Sequence, residues 1–103
     1  MEELTLWILR AREGDLEAWD WLYQRFEASL FRLAYHMLQD EEEAADVVQE
    51  TFLRAFQQRQ RLQAPEAFSQ WLRTIAINFC RRRYRRRSQS PPLLSLEALG
   101  TGE

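Results

Sequence analysis

Between Leu16 and Met37 the apolar residues fall at helical spacing twice over. Leu16, Trp19, Leu22, Tyr23, Phe26, Leu30, Leu33 and Met37 form one stripe, while Trp21, Phe31 and Tyr35 fall on a second side. A helix that is apolar on two sides has to be covered from two directions, so this segment predicts the central helix of an all-α bundle. Asp15 is placed to cap its start. Upstream, Leu4, Trp7, Ile8 and Ala11 repeat at helical spacing, and Gly14 is placed to end a short helix near residues 3–13. Downstream, Asp40 followed by Glu43 reads as a capping box, with Glu41 and Glu42 favourably set against the helix dipole. The third helix they open runs to about Arg59, with Ala44, Ala45, Val48, Phe52, Ala55 and Phe56 on its buried side. Gln60 to Ala64 make a short connection, and Pro65 suits the first position of a fourth helix. Phe68, Leu72, Ile75 and Phe79, with Trp71 beside them, form its buried face. The spacing thus predicts a compact bundle of about four helices, with no strand pattern, internal repeat or glycine-rich phosphate loop.

A chain of 103 residues has room for one cored domain and not for two. Its 46% hydrophobic and 29% charged residues exclude both a disordered chain and a membrane span. No apolar run approaches the roughly 20 residues that cross a bilayer, so membrane insertion is not expected. The single cysteine, Cys80, has no internal partner, and Met1-Glu2-Glu3-Leu4 lacks the basic and apolar pattern of an export signal. The expected compartment is the cytoplasm.

The net charge of −2 conceals an asymmetry. Residues 1–66 carry 14 acids and 7 arginines, whereas residues 67–103 carry 2 acids and 7 arginines. Six of those arginines lie between Arg81 and Arg87, and the chain has no lysine. A local cluster of this kind sets the potential for a phosphate-bearing partner whatever the overall charge. Continued at 100° per residue, the fourth helix turns Arg82, Arg83 and Arg86 toward its buried side, where unpaired charge is costly. The helix is therefore expected to leave the body after about Cys80 and run on as a basic tail. Ser88-Gln-Ser-Pro-Pro92 is a linker signal. The expected division is a helical domain over residues 1–87 and a linker or tail over 88–103, where Leu93 to Leu99 is a short apolar patch.

Two surfaces are left over by the core. On the third helix, Asp46, Gln49, Glu50, Leu53 and Gln57 share the side away from the buried residues. Periodicity alone fits both an ordinary solvated face and a docking strip for a basic partner helix anchored by Leu53. On the fourth helix, Gln70, Arg73, Thr74, Ile77, Asn78 and Arg81 share one side, continuing toward Tyr84 and Arg85. Guanidinium and amide groups mixed with an exposed aliphatic and an aromatic suit phosphates, base edges and unstacked bases. A basic helix end complementing its own dipole is the plainer reading, but six arginines in seven positions exceed what a terminus needs. His36 has no second ligand at metal-binding spacing. Cys80 has no basic partner to activate it, and acid pairs such as Asp46 and Glu50 sit on a convex helix rather than in a cleft. No enzyme signature, cofactor motif or metal site is found.

The run Asp46-Val-Val-Gln-Glu-Thr-Phe-Leu-Arg-Ala-Phe56, followed by Phe68, Trp71-Leu72, Ile75-Ala76, Asn78 and the arginine cluster, resembles region 2 of bacterial RNA polymerase sigma factors of the extracytoplasmic-function group. Arg12-Glu-Gly-Asp15, Ala18-Trp19, Leu22-Tyr23 and Leu30-Phe31-Arg-Leu-Ala34 are similar to the opening of that domain. The likeness covers residues 4–87 in several separated motifs. It implies a non-enzymatic transcription initiation domain, with Asp46, Gln49, Glu50, Leu53 and Gln57 docking on the coiled coil of the beta-prime subunit of core RNA polymerase. It further implies that the promoter −10 element is recognised and melted through its non-template strand. The loop with Gln60, Arg61 and Gln63 would hold a flipped base, and Gln70, Arg73, Thr74, Ile77, Asn78, Arg81, Arg82 and Arg85 would contact DNA. An anti-sigma factor is a further candidate partner at the docking faces.

Two departures stand out. Family members often place an acid shortly after the asparagine matching Asn78, whereas Phe79-Cys80-Arg81-Arg82-Arg83 follows here. Full-length members carry a second helical domain, region 4, for which these residues show no counterpart. Outside the resemblance, an arginine-rich RNA-binding helical bundle accounts for Arg81 to Arg87, and contact with anionic lipid is a third reading.

Overall fold

The computed structural model describes residues 2–89, and among them the fold is all-α with no strand. The four helices are α1 (Glu3–Arg12), α2 (Leu16–Leu38), α3 (Glu41–Gln57) and α4 (Phe68–Gln89), with 3-10 turns at Arg59–Arg61 and Pro65–Ala67 between the last two. This is the bundle that the apolar spacing predicts, and α4 runs straight through the arginine cluster. The linker or tail expected over 88–103 lies, beyond Gln89, outside the described residues.

The helix starts follow the capping chemistry. Asp15 accepts the Glu17 amide at 3.0 Å and Asp40 accepts the Glu43 amide at 2.9 Å. Gln39 closes α2 in the left-handed conformation (φ 56°) and donates its own amide to the Tyr35 carbonyl at 2.7 Å. Gly14 (φ 94°) makes the corner between α1 and α2, and a side chain there would also meet the Arg59 guanidinium at 3.3 Å.

α2 is covered from two directions, as its two apolar sides require. Trp7 of α1 stacks on Trp21 at 5.3 Å, and Tyr23 meets Phe52 of α3 edge-on at 5.0 Å. Trp19 joins all four helices: its indole N–H donates to the Ala11 carbonyl at 2.8 Å, and its rings face Phe56 at 5.8 Å and Phe68 at 6.1 Å. Phe26 closes on Phe68 at 5.5 Å.

Several local expectations are corrected. α3 ends at Gln57 rather than near Arg59, because Arg59 folds back, donating to the Phe56 carbonyl at 3.0 Å and stacking over the Phe56 ring at 4.5 Å. Pro65 opens a 3-10 turn, and the α-helix starts at Phe68. On α3 the buried side includes Val47 and Thr51 while Ala45 is exposed, since the helix is covered by α4 as well as α2 and its buried arc is turned toward both. Leu16, at 70% exposure, lies off the core at the first turn of α2, and Tyr35 is exposed. Ile77 is half-buried rather than free of the core. α4 does not leave the body at Cys80. It runs antiparallel to α3, and Arg83 is brought against Glu50 and Arg87 against Glu43. The charges turned toward the body are paired, which removes the reason for the helix to depart.

The four-way role of Trp19 sets the cost of losing it. Trp19→Ala should lower unfolding stability by about 3–5 kcal/mol with an unchanged denaturant slope. Urea titration followed by circular dichroism measures this, and a loss under about 1 kcal/mol would mean that the indole is not the junction described.

Candidate nucleic-acid and partner interface

The surface strip of α3 forms because its buried residues all point the other way. Asp46, Gln49, Leu53 and Gln57 are exposed and Glu50 is half-exposed, and Leu53 stands 60% open to solvent. The acids of this strip are engaged from within the chain. Arg83, whose side chain is only 20% exposed, bonds Glu50 at 3.1 Å and lies 4.0 Å from Asp46, while Arg87 bonds Glu43 at 2.8 Å. The spacing of four between Arg83 and Arg87 matches the antiparallel run of Glu50, Asp46 and Glu43 on α3. The strip therefore presents amides and an apolar anchor together with acids already neutralised in part.

On α4, Gln70, Arg73, Thr74, Asn78, Arg81, Arg82 and Arg85 are exposed, and Ile77 sits half-buried among them. The Thr74 hydroxyl donates to the Gln70 carbonyl one turn back at 3.0 Å, leaving its oxygen able to accept. Tyr84 is 55% exposed and, with Arg81, Arg85, His36 and Met37, lines an open hollow between α2 and α4. On the opposite flank a second hollow is lined by Arg54, Gln58, Ile75, Asn78, Phe79 and Arg82. The guanidinium groups of Arg54 and Arg82 lie 5.2 and 5.3 Å from the Phe79 ring centre, so one ring carries two cations. A shallow groove joins this hollow to Glu50, Leu53 and Gln57, so that the strip on α3 and the basic side of α4 are continuous.

The connection between α3 and α4 presents Gln60, Arg61 and Gln63 outward, while Leu62 is buried beneath them. It is held from α1. Arg12 donates through Nη1 to the carbonyls of Leu62 at 3.1 Å and Gln63 at 3.2 Å, and Gln60 Nε2 lies 3.4 Å from the Arg12 carbonyl. Arg12, Arg54, Gln58 and Arg59 also border these surfaces, and the helical spacing did not single them out. Arg54 and Gln58 were findable, since Arg54 follows Glu50 by one turn on α3 and Gln58, four residues later, closes that helix. Arg12 falls in the Arg12-Glu-Gly-Asp15 run, but nothing local pointed to its contacts, because its partners lie 50 and 51 residues away in the chain.

No group of three or more His, Cys, Asp or Glu that could hold a metal occurs among the described residues. Cys80 is wholly buried, and burial pushes its thiol above the ordinary range, only partly opposed by the nearby Arg83 charge. Such a thiol is a packing residue. Asp15, by contrast, is held below the usual carboxylate range, first by its bond from Arg10.

The order of these motifs along the bundle is matched by the Sigma-70 region 2 family, whose pattern covers residues 22–90. The chain belongs to that family. Among similar sigma factors, the RNA polymerase sigma-H factor of Pseudomonas aeruginosa is 32% identical over 83 residues, covering 81% of this chain and 43% of that protein. The ECF RNA polymerase sigma factor SigW of Bacillus subtilis is 31% identical over 94 residues, covering 91% and 50%. SigE of Mycolicibacterium smegmatis is 34% identical over 87 residues, covering 84% and 32%. The chain thus spans between about a third and a half of these sigma factors. A solution structure of an engineered region 2 of sigmaE in complex with GTAAAA superposes with a TM-score of 0.75 at 25% identity, covering 86% of this chain and 96% of that one. The bundle described here is therefore the sigma region 2 fold.

The pairing across α3 and α4 is open to direct measurement. A double-mutant cycle on Arg83→Met and Glu50→Gln should give a coupling of about 0.5–1 kcal/mol that fades with added salt. A coupling of zero in low salt would place the two groups apart in solution.

Proposed function

We propose that this region 2 domain acts in transcription initiation by binding core RNA polymerase and by recognising and helping to melt the promoter −10 element. The observation that carries the reading is a face of exposed amides and guanidinium groups on α4, beside a pinned loop of Gln60, Arg61 and Gln63, on a fold shared with a sigmaE domain in complex with GTAAAA. Amides and guanidinium groups read base edges and phosphates, while an aromatic such as Tyr84 offers a stacking surface for an unstacked base. The loop at Gln60, Arg61 and Gln63 is the place for a flipped base of the non-template strand, with Gln70, Arg73, Thr74, Ile77, Asn78, Arg81, Arg82 and Arg85 along the strand. Affinity for the open strand then draws the duplex toward melting, and no covalent step is involved.

The docking surface in this reading is the α3 strip of Asp46, Gln49, Glu50, Leu53 and Gln57, facing the beta-prime coiled coil. Leu53 is its apolar anchor. An anti-sigma factor that covered Leu53 would compete with polymerase for the same residues. The cytoplasm, where polymerase works, is the compartment this function requires, and no helix among the described residues is long and apolar enough to cross a membrane. An arginine-rich RNA-binding bundle is less well supported, because Arg83 and Arg87 are held by acids of α3 and do not extend a continuous basic stripe.

Leu53→Asp should abolish capture of the domain by core polymerase in a pull-down while leaving its helical circular dichroism unchanged. Retained capture would remove the α3 strip as the docking surface. Replacing Arg81, Arg82 and Arg85 together with glutamine should weaken single-stranded DNA binding and flatten its dependence on log salt by about 2, at roughly 0.7 per phosphate contact. An unchanged slope would take all three off the phosphate backbone.

A further inference from the structure

We propose that Arg12 is a positioning residue for base selection, holding the α3–α4 loop in its binding shape. This rests on the reading of that loop as the base-holding element. Arg12 lies in the Arg12-Glu-Gly-Asp15 run, ahead of residues 22–90 that the family pattern covers, and the role proposed for it follows from where α1 meets the loop.

The segment from Gln58 to Ala64 has few backbone anchors of its own. Arg61 donates to the Gln58 carbonyl at 2.8 Å and Leu62 to the Arg59 carbonyl at 3.2 Å, after which the chain turns extended at Leu62. The carbonyls of Leu62 and Gln63 are taken by the guanidinium of Arg12, and Gln60 reaches back to the Arg12 carbonyl. A cation donating to two neutral carbonyls makes stronger bonds than a neutral donor would. One turn further, Arg59 packs its guanidinium against Gly14. Four residues of the loop, Arg59, Gln60, Leu62 and Gln63, thus meet the same α1–α2 corner.

That corner is itself stiff. Asp15 caps α2, Arg10 bonds both Asp15 (2.7 Å) and Glu17 (3.2 Å), and the Trp19 indole is bonded to Ala11 beside Arg12. Fixing the loop carbonyls against a rigid corner leaves the side chains of Gln60, Arg61 and Gln63 projecting from one backbone shape. A loop ordered before it meets its ligand loses less entropy on binding, and it discriminates better because a wrong base cannot be accommodated by rearrangement. Arg12 touches the loop's backbone and acts on the base through it.

Arg12→Met tests this, since it keeps the aliphatic stem and removes the donors. Binding of the whole chain to a randomised single-stranded DNA hexamer flanked by oligothymidine, with selection and sequencing, gives the preferred hexamer. Its affinity relative to a shuffled hexamer is then compared between wild type and variant, alongside the salt slope and hydrogen exchange at residues 59–64. The expected result is at least a tenfold loss of selectivity, faster exchange confined to that loop, an unchanged salt slope and a retained cooperative melt. A salt slope reduced by about 0.7 with unchanged loop exchange would make Arg12 a phosphate contact and overturn the assignment. Unchanged selectivity overturns it as well, whether or not exchange rises. If Arg12→Met does not fold, Arg12→Lys is measured instead, and retention of full selectivity by a lysine with faster loop exchange overturns the proposal. A wild-type chain that selects no hexamer would sink the base-holding reading itself, which separates that failure from this one.

Discussion

The Trp19 indole is the point at which the four helices meet, and the position of every surface group depends on it. Its N–H is satisfied by the Ala11 carbonyl at the end of α1, while its ring packs on Phe56 at the end of α3 and Phe68 at the start of α4. A buried indole combines a large apolar area with one donor that has to be paired, so it fixes orientation as well as proximity. Because Phe56 and Phe68 flank the α3–α4 connection, one side chain sets the span that the loop must bridge. The loop is short, and its ends are held by the core rather than by its own backbone.

Charge organises the outside of the bundle in a second layer. The acidic front of the chain and its basic rear meet where α4 runs antiparallel to α3, and Arg83 and Arg87 are drawn onto Glu50 and Glu43. These pairs are partly exposed and individually weak. Their effect is to direct: they hold α4 against the body past Cys80, so that Arg81, Arg82 and Arg85 face outward on a helix whose opposite side is anchored. The same pairs soften the negative potential of the α3 strip, which leaves Leu53 and the amides of Gln49 and Gln57 as its least compensated features. The two surfaces share a groove at Leu53, Gln57, Phe79 and Arg82, so that a partner on one lies within reach of a ligand on the other.

Most of the fold was legible in the amino-acid order. The stripe from Leu16 to Met37, the caps at Asp15 and Asp40 and the left-over faces on the third and fourth helices are matters of local spacing, and local spacing is read directly at 100° per residue. The expected departure of α4 from the body failed for a reason of the same kind turned around. Arg83 does not face the body unpaired, because Glu50 and Asp46 of α3 meet it there. Ala45 was expected on the buried side and is exposed, while Val47 and Thr51 were left out of it and are buried, since a helix covered from two sides buries a wider and differently centred arc than its own pattern declares.

By itself, the sequence determined the helices, their caps and the family, because each of these is written in neighbours a few residues apart or in motifs kept in order. Only the tertiary structure decided which charges are paired and which are presented, and what holds the α3–α4 loop. Those depend on contacts such as Arg12 with Leu62 and Gln63, or Arg83 with Glu50, between groups 33 to 51 residues apart. No periodicity records such a contact. It exists only once the packing of the four helices has brought the two chain segments together.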